Sequence, residues 1–269
     1  MRLATIASGS SGNCTYIGTE NTHLLIDAGV SMKRITEGLH ELGLTPDDVS
    51  AIFVTHEHSD HISGLPMLEK HYRIPLYASA GTLEGIAKIM DPALFREISG
   101  FRLRAQEDVT LGELTVRPFA IPHDAAEPFG FSVRHDQDGK TKKVALATDL
   151  GHYDETISTA LSGADALVLE SNHDIRMLQA GPYPWHLKRR ILSETGHLSN
   201  DDAGRLLTGL LHDGLKGILL AHLSEVNNYP ELAYEAARVE IEMSDAPYHA
   251  EDFRLQVAPR SELSEILEI

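Results

Sequence analysis

The sequence contains almost no cysteine, because Cys14 is the single thiol among 269 residues. One thiol cannot form an intrachain disulfide, so a disulfide-stabilised scaffold is excluded and a reducing compartment is favoured. Cys14 lies in the segment NCTYIG, which has the pattern of a strand start. We therefore expect it to be a small buried side chain rather than a reactive thiol.

Long apolar runs are also missing. No segment approaches the ~18 apolar residues of a membrane span, and the N-terminal MRLATIASGS is too brief for a signal peptide. We expect a cytoplasmic protein without a membrane association. Hydrophobic residues make up 42% of the chain, which is enough for a core, and no low-complexity linker divides it. Residues 1–269 are therefore predicted to form one domain.

Basic residues are scarce, with 23 Lys and Arg against 40 Asp and Glu and a formal net charge of −17. Such a surface opposes non-specific nucleic-acid binding over the whole molecule, because that affinity comes from neutralising phosphates. A local basic groove stays compatible with this charge, and bound cations can offset part of it. The 15 histidines exceed what core packing needs, and they are the first indication of metal chemistry.

Short β-like runs alternate with turns and helices along the chain. A helix is predicted from Ser31, a suitable N-cap, to Gly43, and the apolar run SAIFVT predicts a strand buried on both faces. Two strand-rich halves, each followed by helices, predict an α/β (α+β) protein with two central sheets and helices outside. Further helices are predicted near residues 186–193, 199–212 and 230–243.

The segment THEHSDHISG, from Thr55 to Gly64, places three histidines and one aspartate within six residues. Alternation along the preceding strand predicts that His56 and His58 point the same way, and a turn at Ser59 brings Asp60 and His61 in from another angle. A lone histidine is more often a hydrogen-bonded polar residue than a ligand. Imidazoles and a carboxylate at this spacing indicate a site for zinc, manganese or iron.

Three further candidate ligands follow apolar strands, as His56 follows AIFVT. They are His123 after VRPFAIP, Asp149 after VALAT and His222 after GILLA. Strand ends commonly meet at one sheet edge, so these side chains are expected to join the histidine segment there.

In this order, THEHSDH, His123, TDLGH and LAH resemble the metallo-β-lactamase superfamily over most of the chain. The resemblance implies a four-layer αββα sandwich of two central mixed β-sheets flanked by helices. It also implies two divalent ions, of zinc, manganese or iron, at the sheet edge. The first ion would be bound by His56, His58 and His123, the second by Asp60, His61 and His222, with Asp149 bridging.

Asp27, at the end of HLLIDAG, resembles the superfamily's buried aspartate near the metal-binding loop. The resemblance implies that it orients a metal ligand. An equally good alternative is that it caps the turn that follows.

The acidic residues favour phosphodiester chemistry, because β-lactamases of the superfamily typically lack an aspartate at the position of Asp60. Glu170 ends the strand ALVLES, and His197 precedes a helix with Ser199 as its N-cap. Both resemble a ribonuclease Z pair in which a glutamate orients a histidine that protonates the leaving oxygen. The physical argument is independent: the leaving oxygen needs a proton, and a carboxylate-steadied imidazole can deliver it. Asp60, Glu170 and His197 are thus the predicted catalytic residues. The alternatives are that Glu170 is only a polar residue at a strand end and His197 only a polar residue at a helix start.

A basic cluster lies between Glu170 and His197 in sequence, with Tyr183 and Trp185 among the cations. Cations can hold phosphates while aromatic rings stack on bases, which predicts substrate contacts. A solvated helix face is the alternative. The predicted substrate-binding residues are Arg176, Lys188, Arg189 and Arg190.

Over the whole chain, motifs such as ASGSSGNCTYI, HDAAEPFGF, LESNHD and LAHLSEVNN are similar to the YycJ/VicX (WalJ) branch of the superfamily. That branch lacks the inserted β-CASP domain of its ribonuclease relatives. The resemblance implies a dinuclear phosphodiesterase in which a bridging hydroxide attacks phosphorus, with 5′ to 3′ exonuclease action on DNA. The alternatives are a hydrolase of a small phosphodiester, thioester or lactam, and a metal-binding regulatory protein without catalysis.

Overall fold

Apolar segments from the two halves of the chain form two seven-stranded sheets in the computed structural model, which describes residues 1–269. The first sheet contains β1 (Arg2–Ala7), β2 (Cys14–Gly18), β3 (His23–Ile26), β4 (Ala51–Phe53), β5 (Leu76–Ser79) and β6 (Gly100–Leu103). The second contains β7 (Val109–Leu111), β8 (Leu114–Ala120), β9 (Phe129–Gln137), β10 (Lys140–Ala147), β11 (Ala166–Glu170), β12 (Gly217–Ala221) and β13 (Arg254–Val257). The short strand β14 (Leu267–Glu268) returns to the first sheet beside β1.

Both sheets are mixed. The first runs in the order β14-β1-β2-β3-β4-β5-β6, antiparallel from β14 to β3 and parallel from β3 to β6. The second runs β13-β12-β11-β10-β9-β8-β7, parallel from β13 to β10 and antiparallel from there to β7. Parallel strands end at the same edge of a sheet, so residues that follow β3, β4, β10, β11 and β12 are brought together.

Helices lie on the outer faces of the sheets. Ser31 caps the first helix by accepting a hydrogen bond from the Arg34 backbone N–H at 3.3 Å. The helices associated with the first sheet are α1 (Met32–Glu41), α2 (Ser59–Ile62), α3 (Leu65–Tyr72), α4 (Ala80–Ile89) and α5 (Pro92–Glu97). The later helices are α6 (Glu155–Leu161), α7 (Ile175–Ala180), α8 (Trp185–Ile191), α9 (Asn200–Thr208) and α10 (Pro230–Met243), and 3-10 turns occur at Pro46–Asp48 and Ala250–Asp252.

Three hydrophobic core layers lie between the four structural layers of helices and sheets. Between the sheets, Phe53 stacks on Tyr77 with ring centroids 4.8 Å apart and meets Phe131 of the other sheet edge-on at 5.7 Å. A second layer joins the first sheet to the helices from α1 to α5, and a third joins the second sheet to α6, α9 and α10. This is the four-layer αββα sandwich that the resemblance implied, and that prediction is confirmed. Cys14 is fully buried in the second layer, as expected.

Several boundaries differ from the sequence-based expectations. The helix predicted over 199–212 ends at Thr208, although Leu210 beyond it is still buried in the core. The strand before the histidine segment ends at Phe53, so His56 and His58 lie beyond it. The prediction that alternation along a strand orients these two side chains was therefore wrong. β6, β13 and β14 were not predicted. No helix of the chain has both the length and the apolar content that a bilayer crossing requires.

Glu69 of α3 is a buried carboxyl group on the apolar side of its helix. Its side chain is packed away from water at 2% exposure, and Oε1 has no hydrogen-bond partner. Burial disfavours the carboxylate and raises the pKa of Glu69 from 4.5 to about 7. An unfolded Glu69 ionises near pH 4.5, so the folded protein loses stability as the pH rises from there to about 7.

We predict that Glu69→Gln stabilises the protein at pH 8, where wild-type Glu69 must carry a buried charge. The gain in the free energy of unfolding should be about 1–3 kcal/mol at pH 8 and much smaller at pH 4.5. Urea unfolding at both pH values measures it, with the exposed Glu97→Gln as the control. An equal effect of Glu69→Gln at the two pH values would show that ionisation is not the cause.

Candidate metal centre

Five acidic and histidine side chains are placed by the ends of neighbouring parallel strands. Asp27 follows β3, Asp149 lies two residues beyond β10, Glu170 ends β11 and His222 follows β12. His56 lies three residues beyond β4. Because the two sheets present these ends at a common edge, the side chains converge there.

Three of these residues have left-handed backbone conformations, with φ of 63° at Asp27, 61° at Asp149 and 58° at His222. Non-glycine residues pay a conformational cost in this region, and such residues concentrate at functional sites. Here the turn redirects the chain at the strand end, where the side chain joins the cluster.

One group of imidazoles comes from His56, His58 and His123. Their potential ligand atoms lie within 4.8 Å of one another. His58 Nδ1 and His123 Nε2 are 3.2 Å apart, and the His56 ring lies 4.6 Å from the ring of His58 and 4.9 Å from that of His123. His58 is the N-terminal boundary of α2. The geometry matches a set of nitrogen donors around a single cation.

The second group comprises Asp60, His61 and His222. Asp60 Oδ2 lies 3.4 Å from His61 Nε2 and 3.5 Å from His222 Nε2. Asp60 and His61 lie within the one-turn helix α2, which begins at Ser59, where the sequence predicted a turn. These are the residues that the resemblance assigned to the second ion.

Asp149 lies between the two groups and is buried. Its Oδ2 is 3.1 Å from His61 Nε2, without hydrogen-bond geometry, and its Oδ1 is 3.5 Å from His222 Nε2 and 3.8 Å from His123 Nε2. The carboxylate therefore reaches both groups, as a bridging ligand must.

Four imidazoles are each held by a hydrogen bond at the ring nitrogen opposite the cluster. Thr55 Oγ1 contacts His56 Nδ1 at 3.0 Å, and the Gly196 carbonyl contacts His123 Nδ1 at 3.2 Å. The other two outer partners are carboxylates: Asp27 for His61 Nδ1 at 2.7 Å and Glu170 for His222 Nδ1 at 2.8 Å. Such outer partners fix the ring orientation and tautomer of metal-ligating histidines.

Asp27 is placed to orient His61, the first of its two predicted alternatives. Its carboxylate also accepts hydrogen bonds from the Thr55 backbone N–H at 2.8 Å and from the Thr55 hydroxyl. Thr55, which the sequence reasoning did not assign, therefore connects Asp27 to both His56 and His61. Its position directly before His56 was the available signal. Asn13, from the Ser/Asn-rich turn after β1, places its amide 3.2 Å from His61 Nε2.

The electrostatics favour cations. Burial lowers the pKa of His56 well below its usual range, which keeps the imidazole in the neutral form that binds metals. Burial opposes ionisation of Asp149, but His222 and His61 beside it hold the pKa of Asp149 well below its usual range. Burial opposes protonation of His61 and His222, but the Asp149 carboxylate outweighs it and raises the pKa of His61 well above its usual range and the pKa of His222 to about 10, so metal binding at these two imidazoles must release protons. Carboxylate and imidazole donors are the set that zinc, manganese and iron accept.

Two buried polar atoms of the cluster indicate that a metal ion can be bound there. His56 Nε2 and Asp149 Oδ2 are both inaccessible to water and both lack a hydrogen-bond partner. An unpaired buried polar atom is costly, and two of them at one point need a common partner. A divalent cation satisfies both atoms, so the residues present fit divalent metal binding.

His197 lies beside the cluster, with its side chain 17% exposed. Its Nδ1 is 2.9 Å from Glu170 Oε1 and 3.5 Å from Asp149 Oδ1. Glu170 is completely buried; burial opposes its charge, but His197 and His222 outweigh burial and lower the pKa of Glu170 to about 2. The same Glu170 oxygen thus holds both His197 and the candidate ligand His222.

The predicted substrate-binding cations differ in their exposure to solvent. Lys188 is buried, and its ammonium donates to the carbonyls of Gln179 and Gly181, both at 2.7 Å. A phosphate contact by Lys188 conflicts with this structural role, because the ammonium already holds the α7–α8 connection together. Arg176 and Arg189 are exposed.

Arg190 is placed near the metal centre through Asp124. It forms a two-point ion pair with the Asp124 carboxylate, whose Oδ1 lies 3.5 Å from His123 Nε2. Arg190 is therefore close to the site and already has an anionic partner. Asp124, directly after the candidate ligand His123, was also missed by sequence reasoning.

Comparison with known proteins identifies the family and agrees with the fold. The model of the β-lactamase superfamily domain matches residues 22–215. The chain is 40% identical over 233 residues to exodeoxyribonuclease YycJ of Bacillus anthracis, covering 87% of this chain and 86% of that protein. It is 37% identical over 233 residues to exodeoxyribonuclease WalJ of Streptococcus pneumoniae, covering 87% and 85%. The solved metallo-β-lactamase fold protein YhfI from Bacillus subtilis has a TM-score of 0.71 at 16% identity, with 98% of each chain covered.

Gly29 permits the close approach of two segments of the centre. A Cβ at this position would lie 1.6 Å from the Asp60 carbonyl oxygen, so any side chain would push α2 away. Asn13 completes the contact: its backbone N–H donates to that same Asp60 carbonyl at 2.8 Å, and its carbonyl accepts from the Gly29 N–H at 2.7 Å. The metal-binding segment is thus held against the turn after β3 by backbone contacts.

We predict that Gly29→Ala displaces Asp60 and His61 and lowers metal content by at least about half, with a stability loss of about 1–3 kcal/mol from the steric overlap. Elemental analysis and thermal unfolding measure the two effects. Gly209→Ala is the matched control, because a Cβ there meets only the Leu206 carbonyl oxygen at 3.5 Å. Full metal content in Gly29→Ala would contradict the predicted displacement.

Proposed function

The chain belongs to the metallo-β-lactamase superfamily, and on that basis we propose that it is a two-metal phosphodiesterase that degrades DNA as a 5′ to 3′ exonuclease. The observation that carries the proposal is the convergence of two ligand groups on Asp149, with the His197–Glu170 pair beside them. The relatives named exodeoxyribonucleases support DNA as the substrate. A cytoplasmic location and a single domain over residues 1–269 complete the proposal.

His56, His58 and His123 would hold one ion, Asp60, His61 and His222 the other, and Asp149 both. Zinc, manganese and iron all suit these nitrogen and oxygen donors. When bound, such a pair of ions supplies an activated water nucleophile at neutral pH and stabilises negative charge on the phosphoryl oxygens.

His197 is proposed to protonate the leaving oxygen. Its Nδ1 is engaged by Glu170, so Nε2 is the ring nitrogen left to carry a transferable proton. A carboxylate behind an imidazole fixes the orientation of the ring that donates the proton, as general acid catalysis requires. The partial exposure of His197 lets a substrate reach it.

Glu170 is proposed to have two tasks. One of its oxygens holds His197 and His222, and the other accepts the backbone N–H groups of Leu150 at 2.9 Å and Leu198 at 3.2 Å. Glu170 therefore fixes the proton donor and a metal ligand relative to each other. It acts through these imidazoles and is a positioning residue.

The surface of α7 and α8 supports contact with a DNA strand. Trp185 is 69% exposed, and Arg189 follows it by one helical turn on α8, so an aromatic ring and a cation share the exposed side. Such a pair can stack on a base and hold a phosphate. Arg176 on α7 and Arg190 near His123 extend the basic surface, whereas Lys188 has no part in it.

We predict that the metal-loaded protein degrades linear DNA with a 5′ end and that a chelator abolishes the activity. The assay compares single- and double-stranded DNA carrying a label at either end with RNA, bis-p-nitrophenyl phosphate and nitrocefin. Successive release of nucleotides from the 5′ end supports the proposal. Turnover of nitrocefin without degradation of any nucleic acid by protein of full metal content would refute it.

His197→Ala and Glu170→Gln should separate proton donation from ligand positioning. His197→Ala should keep its metals and lose about 10²–10⁴-fold in rate, because only the proton donor is removed. Glu170→Gln should lose rate and also bind metal more weakly, by about 10- to 100-fold, because His222 loses its carboxylate partner. Elemental analysis and single-turnover kinetics give the two readouts. An unchanged rate in a fully metallated His197→Ala protein would exclude the donor role.

A further inference from the structure

A cavity of about 500 Å³ lies between α6 and the outer face of the second sheet. Its lining comes from β8, β9, β10, α6 and the segment before β7. None of the candidate metal ligands lines it. The cavity is therefore a feature of the sheet face, distinct from the strand-end edge that carries the metal centre.

Strand register explains why the floor of this cavity is basic. Ser132 of β9 pairs with Arg117 of β8, and Arg134, two residues further along β9, pairs with Lys143 of β10. The intervening Val133 faces the core between the sheets, so Ser132 and Arg134 face outward on the opposite side. Three cations thus share one outer face in a chain with a net charge of −17.

Internal contacts hold these cations in place. Asp108 accepts hydrogen bonds from Arg117 Nε at 2.6 Å and Nη2 at 2.9 Å, and from Arg134 Nη2 at 2.6 Å. The Lys143 ammonium donates to two carbonyls at the end of α6, both at 2.7 Å. The side chains are therefore ordered before any ligand arrives, which reduces the entropy that binding would cost.

The positive charge is not fully compensated from within the chain. Against the three cations stand Asp108 and one lining carboxylate, the exposed Glu155. Arg134 Nε is buried and has no hydrogen-bond partner. Burial lowers the pKa of the Lys143 ammonium, and the charges of Arg134 and Arg117 lower it further. The cavity has more donors and positive charge than the protein's own acceptors satisfy.

We propose that this cavity binds the phosphate group of a small phosphorylated molecule. Guanidinium groups match the oxygens of a phosphate, and the ammonium of Lys143 adds a point charge. Ser132 and the α6 residues Thr156 and Thr159 supply hydroxyl groups around it. The volume falls within the ~300–1,000 Å³ of small-molecule sites, which leaves room for an organic group beside the phosphate.

A nucleoside monophosphate is the ligand class to test, and inorganic phosphate is the simplest molecule with the same chemistry. Calorimetric titration of the metal-loaded protein with deoxyadenosine 5′-monophosphate, inorganic phosphate and deoxyadenosine distinguishes them. Binding of the nucleotide, with none of the nucleoside, supports the proposal. If the nucleotide and inorganic phosphate bind with equal affinity, the cavity recognises the phosphate group alone. If the nucleotide binds more tightly than inorganic phosphate, the cavity also contacts the nucleoside. Absence of binding by both phosphates overturns it.

Variants locate the binding. Arg134→Gln removes a cation, and Thr159→Leu narrows the cavity from an exposed position of α6; each should weaken binding by about 10- to 100-fold. Arg238→Gln is the matched control, because Arg238 is a partly exposed arginine on α10, outside the cavity lining and paired with Glu235. Asp149→Asn should retain cavity binding, which separates it from phosphate at the metal centre.

Wild-type affinity in both cavity variants, or a loss of binding in Asp149→Asn alone, would overturn the proposal. Circular dichroism checks that each variant is folded. If Arg134→Gln does not fold, Thr159→Leu decides the question, since it leaves the Asp108 ion pairs intact. The result does not depend on the proposed nuclease activity, because binding is measured without turnover.

Discussion

The burial of Asp149 among imidazoles is the constraint on which the arrangement of the site depends. A charged carboxylate in a protein interior is costly unless it is paired, and here His61, His222 and His123 surround it within 3.1–3.8 Å. Those imidazoles need fixed orientations in turn, and Asp27, Glu170 and the Gly196 carbonyl provide them. Each buried polar group is thereby tied to the next. A divalent cation completes the network, because it satisfies the atoms that the chain leaves unpaired.

The two sheets make this network possible. Side chains that follow β3 and β4 come from one sheet, and those that follow or end β10, β11 and β12 come from the other. The shared core between the sheets, with Phe53 against Phe131, fixes the distance between the two edges. Close packing transmits small displacements, so ligands from both sheets can keep a common geometry only over a rigid core. The left-handed turns at Asp27, Asp149 and His222 are held by the same framework.

Charge is distributed unevenly over the molecule. The acidic side chains that give the net charge of −17 include the carboxylates of the centre, whereas two local groups of cations lie on α7 and α8 and in the cavity beside α6. An acidic protein can therefore present local surfaces for phosphates while repelling nucleic acid elsewhere. The two basic regions differ in design. The α8 surface is exposed and aromatic, whereas the two arginines of the cavity are held in place by ion pairs with Asp108.

The sequence by itself determined the candidate ligands and the architecture. Histidines and aspartates directly after apolar runs are visible without coordinates, because strand ends and their polar neighbours are local features. It did not determine that Lys188 is a buried structural cation, that Thr55 joins Asp27 to two histidines, or that one Glu170 oxygen holds both His197 and His222. Those facts depend on contacts between residues far apart in the chain. The same holds for the basic cavity, since Arg117, Arg134 and Lys143 become neighbours only through the register of β8, β9 and β10. Spacing along the chain indicates which face of its own strand or helix a residue occupies. Only the packing of sheets and helices decides which residues from different elements lie together on one surface.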